Sequence, residues 1–275
     1  MKKAVVAITF FDLVFMFLLS LSGSLGGIFG NIAYYLSFFI PVFLAYFYLK
    51  FEGDSEKPPA MLKLLSDGKS LCYTLPLVAP FISVVFLISF LTSLLLNLLG
   101  FSDSVDVSGN LFGVVVEHAL LPAFLEEALF RFVPLILLLP YSKKNALVIS
   151  SVMFAAVHCN LFQIPYALMA GFVLSMVALA TGNVFSCVIL HFLNNIASIA
   201  FMRCSGAPNF NLIYFLSLGV LCAASLCVIA LRRKTYTEIC REIKKDKTTV
   251  EIATSPVIFV AATLVIGVVN LWAKL

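Results

Sequence analysis

The chain has 275 residues, of which 62% are apolar, about 170 in all, and only 12% are charged. Soluble domains run nearer half apolar and a quarter charged, which excludes that class. At ~20 apolar residues per helical crossing, the apolar total suffices for eight or nine spans. The net charge of +4 sits in a few inter-span segments, which argues for membrane orientation and contact with lipid headgroups and against nucleic-acid binding. The expected fold is all-α: a polytopic transmembrane helical bundle of about eight to nine spans, forming a single membrane domain over 1–275.

In chain order the apolar runs predict spans at roughly 4–27, 31–49, 73–99, 111–139, 146–162, 164–181, 183–202, 211–231 and 256–273. The first run follows Lys2 and Lys3, continues to about Phe29 and contains Asp12. It is too long for a signal-peptide core and reads as a retained span. Gly23/Gly27 and Gly26/Gly30 at its end suggest a turn between spans. With nine spans, Lys2 and Lys3, then Lys50, Lys57, Lys63 and Lys69, then Lys143 and Lys144, then Arg232, Arg233, Lys234, Arg241, Lys244, Lys245 and Lys247 all fall on one face. The loop Ser102 to Asn110 has only acids, and 203–210 has Arg203 alone. The positive-inside rule makes the basic face cytoplasmic, with the N-terminus inside. The expected setting is a multi-pass protein of a bacterial or archaeal cell membrane.

Two surface segments are expected. In 232–250, Tyr236, Ile239, Cys240 and Ile243 recur at helical spacing among lysines and arginines, as in an interfacial amphipathic helix on anionic lipid. Met61, Leu64 and Leu65 after Pro58-Pro59 suggest a shorter one. The seven cysteines include no Cys-x-x-Cys pair, so neither a disulfide scaffold nor a zinc-thiolate site is expected. The chain divides into N-terminal spans over 1–110, a motif-bearing core over 111–202 and C-terminal spans over 203–275.

Ionisable groups inside spans are costly unless paired or wet, so they carry the functional signal. Glu117, His118, Glu126, Glu127 and Arg131 lie in the fourth span, His158 in the fifth, and His191, Asn194 and Asn195 in the seventh. Arg131 follows Glu127 by one helical turn, so the two should pair. Glu126 is turned about 100° from that stripe and is available to the bundle interior. His191 and Asn195 share one face, as do Phe154 and His158. At ~1.5 Å per residue, Glu126 lies about 25 Å from Lys143 along the helix, and His191 about 12 Å inside its span. One carboxylate, two histidines and a carboxamide at comparable depth suit hydrolysis. Glu and His can hold and deprotonate a water, while a second His and Asn donate to a developing oxyanion. Glu126, His158 and His191 could instead hold a divalent metal such as zinc.

These residues resemble a known family. Glu126-Glu127-Ala128-Leu129-Phe130-Arg131 resembles the EExxxR motif of the CAAX prenyl protease and bacteriocin-processing (CPBP, or Abi) intramembrane proteases. Phe154-Ala155-Ala156-Val157-His158 resembles its FxxxH motif, and His191-Phe192-Leu193-Asn194-Asn195 its HxxxN motif. Ser150-Ser151, Gly171 and Thr181-Gly182-Asn183 are also similar to the family, and the resemblance covers about 115–200. It departs at Phe132, where the family often has glycine. The resemblance implies an endopeptidase in which Glu126 and His158 activate water, His191 and Asn195 stabilise the oxyanion, and Glu127 and Arg131 support the site. The implied partners are membrane lipids and a peptide or protein substrate, with a C-terminally lipidated one as the family case. The competing classes are a non-catalytic membrane immunity or scaffold protein on the same fold and, third, a transporter. The paired broken helices in two related halves that mark many transporters are not evident.

Overall fold

The computed structural model describes residues 2–52 and 68–246. Nine helices are formed among them. They are α1 (Lys2–Leu25), α2 (Gly27–Glu52), α3 (68–98), α4 (111–138), α5 (Lys143–Ala156), α6 (Ile164–Thr181), α7 (Val184–Cys204), α8 (Phe210–Leu231) and α9 (Arg233–Lys245). The protein is an all-helical, multi-span membrane bundle. Six helices are long and apolar enough to cross a bilayer: Lys3–Leu25, Gly27–Phe51, Ser70–Leu98, Ile164–Thr181, Val184–Cys204 and Phe210–Leu231. The expected span at 256–273, the short surface helix after Pro59, and Lys57, Lys63 and Lys247 lie outside the described residues.

Two expected spans take a different form. The fourth is a composite helix in which α-helical turns alternate with wider π-helical ones at Val116–Leu120 and Ala128–Phe132. Proline causes part of this. Pro134 has no N–H to offer the carbonyl of Phe130, and Pro122 none for that of His118, so the regular ladder is interrupted there. The fifth span is shorter than the apolar run suggested. Helix α5 has 14 residues, about 21 Å at 1.5 Å per residue, and so stops inside a hydrocarbon layer of ~30 Å.

The ends of the helices sort into two faces. On the basic face, Ser142 caps α5 by accepting from the N–H of Asn145 at 3.1 Å. Asp246, just past the end of α9, accepts from the Ser142 hydroxyl at 2.7 Å and the Lys144 N–H at 3.1 Å. Arg232 and Tyr236 donate to the carbonyls of Cys72 and Tyr73. The amphipathic helix expected over 232–250 is thus α9, and it bridges the starts of α3 and α5. On the other face Arg203 reaches the carbonyls of Val107 and Gly109 at 2.7 and 2.6 Å. There Asn160 donates to Asp103 at 2.7 Å, which ties the turn after α5 to the acidic loop.

Helices α1 and α2 form a tight antiparallel hairpin. The turn needs left-handed backbone at Gly26 and Gly27, with φ of 62° and 52°, a region glycine enters without steric cost. Helices α5 and α6 pack closely because residue 171 has no side chain: a Cβ there would stand 3.0 Å from Ser151 Cα. The core runs from the hairpin (Val5, Ile8, Phe15, Phe38) through α4 (Leu129, Phe130, Leu135) to α5 and α6 (Met153, Phe154, Leu174). Helix α8 has no buried residue, and Phe10, Phe17, Phe43, Leu94 and Val220 are exposed apolar side chains of the outer surface. Such a surface is suited to acyl chains. All seven cysteines are free thiols.

Candidate active site

The fully buried pair Glu127–Arg131 organises the site. Arg131 Nε lies 3.2 Å from Glu127 Oε2, one helical turn away, with both side chains at 0% exposure. The carbonyl of Phe130, deprived of its usual donor by Pro134, accepts from Arg131 Nη1 at 3.3 Å and from the Ser150 hydroxyl at 2.5 Å. Ser150 also touches Ser175 Oγ at 3.1 Å, which links α4, α5 and α6 by polar contacts in the core. The Arg131 guanidinium sits over the Phe154 ring, 4.2 Å from its centroid. Against the apolar alternative this cation is doubly held, by a carboxylate and by an aromatic face.

Each histidine has one ring nitrogen committed, which decides what the other can do. His191 Nδ1 is 2.9 Å from Glu127 Oε1. The carboxylate accepts, so Nδ1 carries the proton and Nε2 is turned toward Glu126, whose Oε2 is 3.9 Å away. His158 Nδ1 is 2.8 Å from the carbonyl of Phe154. A carbonyl only accepts, so His158 too is protonated on Nδ1, and its Nε2 lone pair is available to a proton donor. The Phe154 ring packs edge-on against both imidazoles, with centroids at 5.1 Å from His158 and 5.7 Å from His191.

Glu126 is placed differently from its neighbour. Its side chain is 20% exposed, and Oε2 is buried with no hydrogen-bond partner. It shares a cavity of about 130 Å³ with Phe15, Leu19, Tyr34, Phe38, Phe130, Val157 and His158. The structure therefore brings Glu126, His158 and His191 together, with Glu127 and Arg131 behind them. It does not bring Asn195 to that cavity. Asn195 is half-buried one turn beyond His191, and its amide oxygen accepts from Asn194 at 3.4 Å. By helix rise, Glu126, Phe154 and His191 lie about 18, 17 and 11 Å from the basic-face ends of their helices, near mid-depth of a ~30 Å layer. Glu117 and His118 are exposed, away from the cavity.

The metal candidates are Glu126, His158 and His191. Nδ1–H groups held by a carboxylate and a carbonyl are also how metal-binding imidazoles are oriented. Yet no three His, Cys, Asp or Glu side chains are gathered into a metal-holding set among the described residues.

Residues 108–197 match the family described as type II CAAX prenyl endopeptidase, Rce1-like. The motif-bearing segment is similar to that family. Comparison with curated proteins and with solved structures gives no match. The Rce1-like segment begins just before α4 and ends within α7, so it includes every motif residue named above. The α1–α2 hairpin, which supplies Phe15, Leu19, Tyr34 and Phe38 to the cavity, lies outside the matched segment. No periodicity in 2–52 marks those side chains as site residues. Pro134, four residues after Phe130, is the one sequence signal that could have revealed the freed carbonyl behind Arg131.

Proposed function

We propose that the chain is an intramembrane endopeptidase that hydrolyses a peptide bond of a membrane-borne peptide or protein. The reading is carried by a buried, unpartnered Glu126 oxygen in a cavity shared with His158, whose free Nε2 is a base by tautomer. Glu126 and His158 hold a water between them, and Glu126 takes one of its protons. The water oxygen bonds to the scissile carbonyl carbon, and the carbonyl π electrons move to oxygen. That oxyanion is stabilised by His191, held by Glu127, and by the Asn195 carboxamide one turn on. When the C–N bond breaks, the proton on Glu126 passes to the leaving amine. Glu127 and Arg131 hold His191 and Phe154 in place.

The family description suggests a substrate that is C-terminally lipidated, with its anchor in the lipid beside the bundle. The basic face, with Lys144 and Arg233, is cytoplasmic on this reading. The test uses the full chain in proteoliposomes with internally quenched peptides ending in Cys-aliphatic-aliphatic-X, with and without a farnesyl group on the cysteine. Wild type cleaves, and Glu126→Gln loses at least a thousandfold in rate while folding and inserting normally. Wild-type-like cleavage by the variant, or no cleavage of any peptide by wild type, overturns the proposal. Exhaustive chelation leaves the rate unchanged on the carboxylate route. A rate lost to chelation and restored by zinc alone would move the water onto a metal.

A further inference from the structure

We propose that Tyr34, on the α1–α2 hairpin, is a further catalytic residue: its phenolic O–H donates a hydrogen bond to the oxyanion of the scissile carbonyl. The inference rests on the endopeptidase reading above and adds a donor from outside the Rce1-like segment.

The donor set of the cavity motivates it. Of the residues that line it, Phe15, Leu19, Phe38, Phe130 and Val157 offer no side-chain donor, Glu126 is the carboxylate, and His158 is engaged through Nδ1. Tyr34 is the one remaining lining residue with a side-chain hydrogen to give. Its hydroxyl has no hydrogen-bond partner among the described residues, and it lies within electrostatic reach of Glu126. The ring is held by two aromatic neighbours, packing edge-on against Tyr35 and Phe38 at 5.4 Å each. A phenol fixed by its neighbours and unpaired at its tip is preorganised for a charge that develops only during reaction.

Volume supports the same placement. The cavity's 130 Å³ is several times the ~10–15 Å³ that one buried water needs, so it holds more than one nucleophilic water. A carbonyl entering the cavity would meet Glu126 and His158 together with Tyr34 of the hairpin. Tyr34 comes to the cavity from the α1–α2 hairpin, whereas Glu126 comes from α4 and His158 from the turn after α5. The phenol keeps its proton throughout; it only shares it with the oxyanion, so the proton balance of the reaction is unchanged.

The test is Tyr34→Phe in the proteoliposome assay, with the quenched peptide that wild type cleaves best. Loss of one oxyanion donor predicts a kcat about a hundredfold lower with KM within about twofold. Unchanged kcat, or a change confined to KM, overturns the proposal and leaves Tyr34 as a wall of the cavity. Should Tyr34→Phe lower the thermal midpoint in detergent, trifluorotyrosine at position 34 decides. The alkaline limb of kcat against pH then moves to lower pH with the more acidic phenol, and an unmoved limb overturns the proposal. Inactive wild type, or active Glu126→Gln, is a failure of the endopeptidase reading itself. Active wild type with inactive Glu126→Gln and fully active Tyr34→Phe is a failure of this inference alone.

Discussion

Removing Arg131 tests whether the polar cluster is held as one unit. Its guanidinium meets Glu127 at 3.2 Å, the Phe130 carbonyl at 3.3 Å and the Phe154 ring at 4.2 Å, with no exposure. Breaking a buried pair by deleting one partner costs about 3–5 kcal/mol, because the other charge stays buried. Arg131→Met is expected to fall in that range, and so is Glu127→Gln, which leaves the guanidinium without its counter-charge. The double variant Glu127→Gln/Arg131→Met has neither orphan. It should be less destabilised than the sum of the singles by about 1–3 kcal/mol, the coupling typical of residues in one network. Unfolding in mixed micelles with a denaturing detergent measures all four corners of the cycle. Activity gives an independent reading. In Glu127→Gln the new amide oxygen can still accept from His191 Nδ1, but without charge, so cleavage should drop roughly ten- to a hundredfold through a less firmly held imidazole. Additive single effects, or singles below about 1 kcal/mol, would refute the argument that Glu127, Arg131 and His191 act together.

Two further outcomes follow from the packing and the charge distribution. Gly171→Ala would set a Cβ 3.0 Å from Ser151 Cα and 3.3 Å from Phe154 Cδ1. Helices α5 and α6 must part, at a cost of about 1–3 kcal/mol, and Phe154 shifts against both histidines, so stability and cleavage fall together. Gly219→Ala, in open space on α8, is the control and is neutral or slightly stabilising. For orientation, a reporter fused after Lys144 reads cytoplasmic and one fused after Ser205 reads periplasmic. The reverse result would overturn the assignment of the basic face.

Much of the bundle was legible because a bilayer imposes one strong rule: backbone groups in hydrocarbon must bond within their own segment, so long apolar runs become helices. Six described helices answer to that rule directly. Cation grouping was readable for a similar reason, and the Ser142–Asp246 and Arg203–Val107 contacts show the loops meeting on the two faces expected for them. Where the rule is silent, the reading was less close. Helix α5 ends six residues before its apolar run does, because hydrophobicity cannot tell a helix from the apolar turn that follows it. The π-helical turns of α4 depend on what fills the freed carbonyls, which is a matter of neighbours.

Within the site the division is sharper. The i, i+4 spacing of Glu127 and Arg131 dictated their ion pair, and the rarity of ionisable groups in lipid singled out Glu126, His158 and His191. Spacing within one helix says nothing about which helix stands opposite, at what rotation and at what depth. Only the assembled bundle determined that Glu127 engages His191 rather than Arg131 alone, that Phe154 packs against both imidazoles and the guanidinium, and that Asn195 stands off from the cavity. It also determined that a hairpin from the other end of the chain closes the cavity with Tyr34. Apart from Phe154–His158, those contacts join residues tens to more than a hundred positions apart, and they are set by side-chain packing between helices, on which the pattern along any one of them is silent.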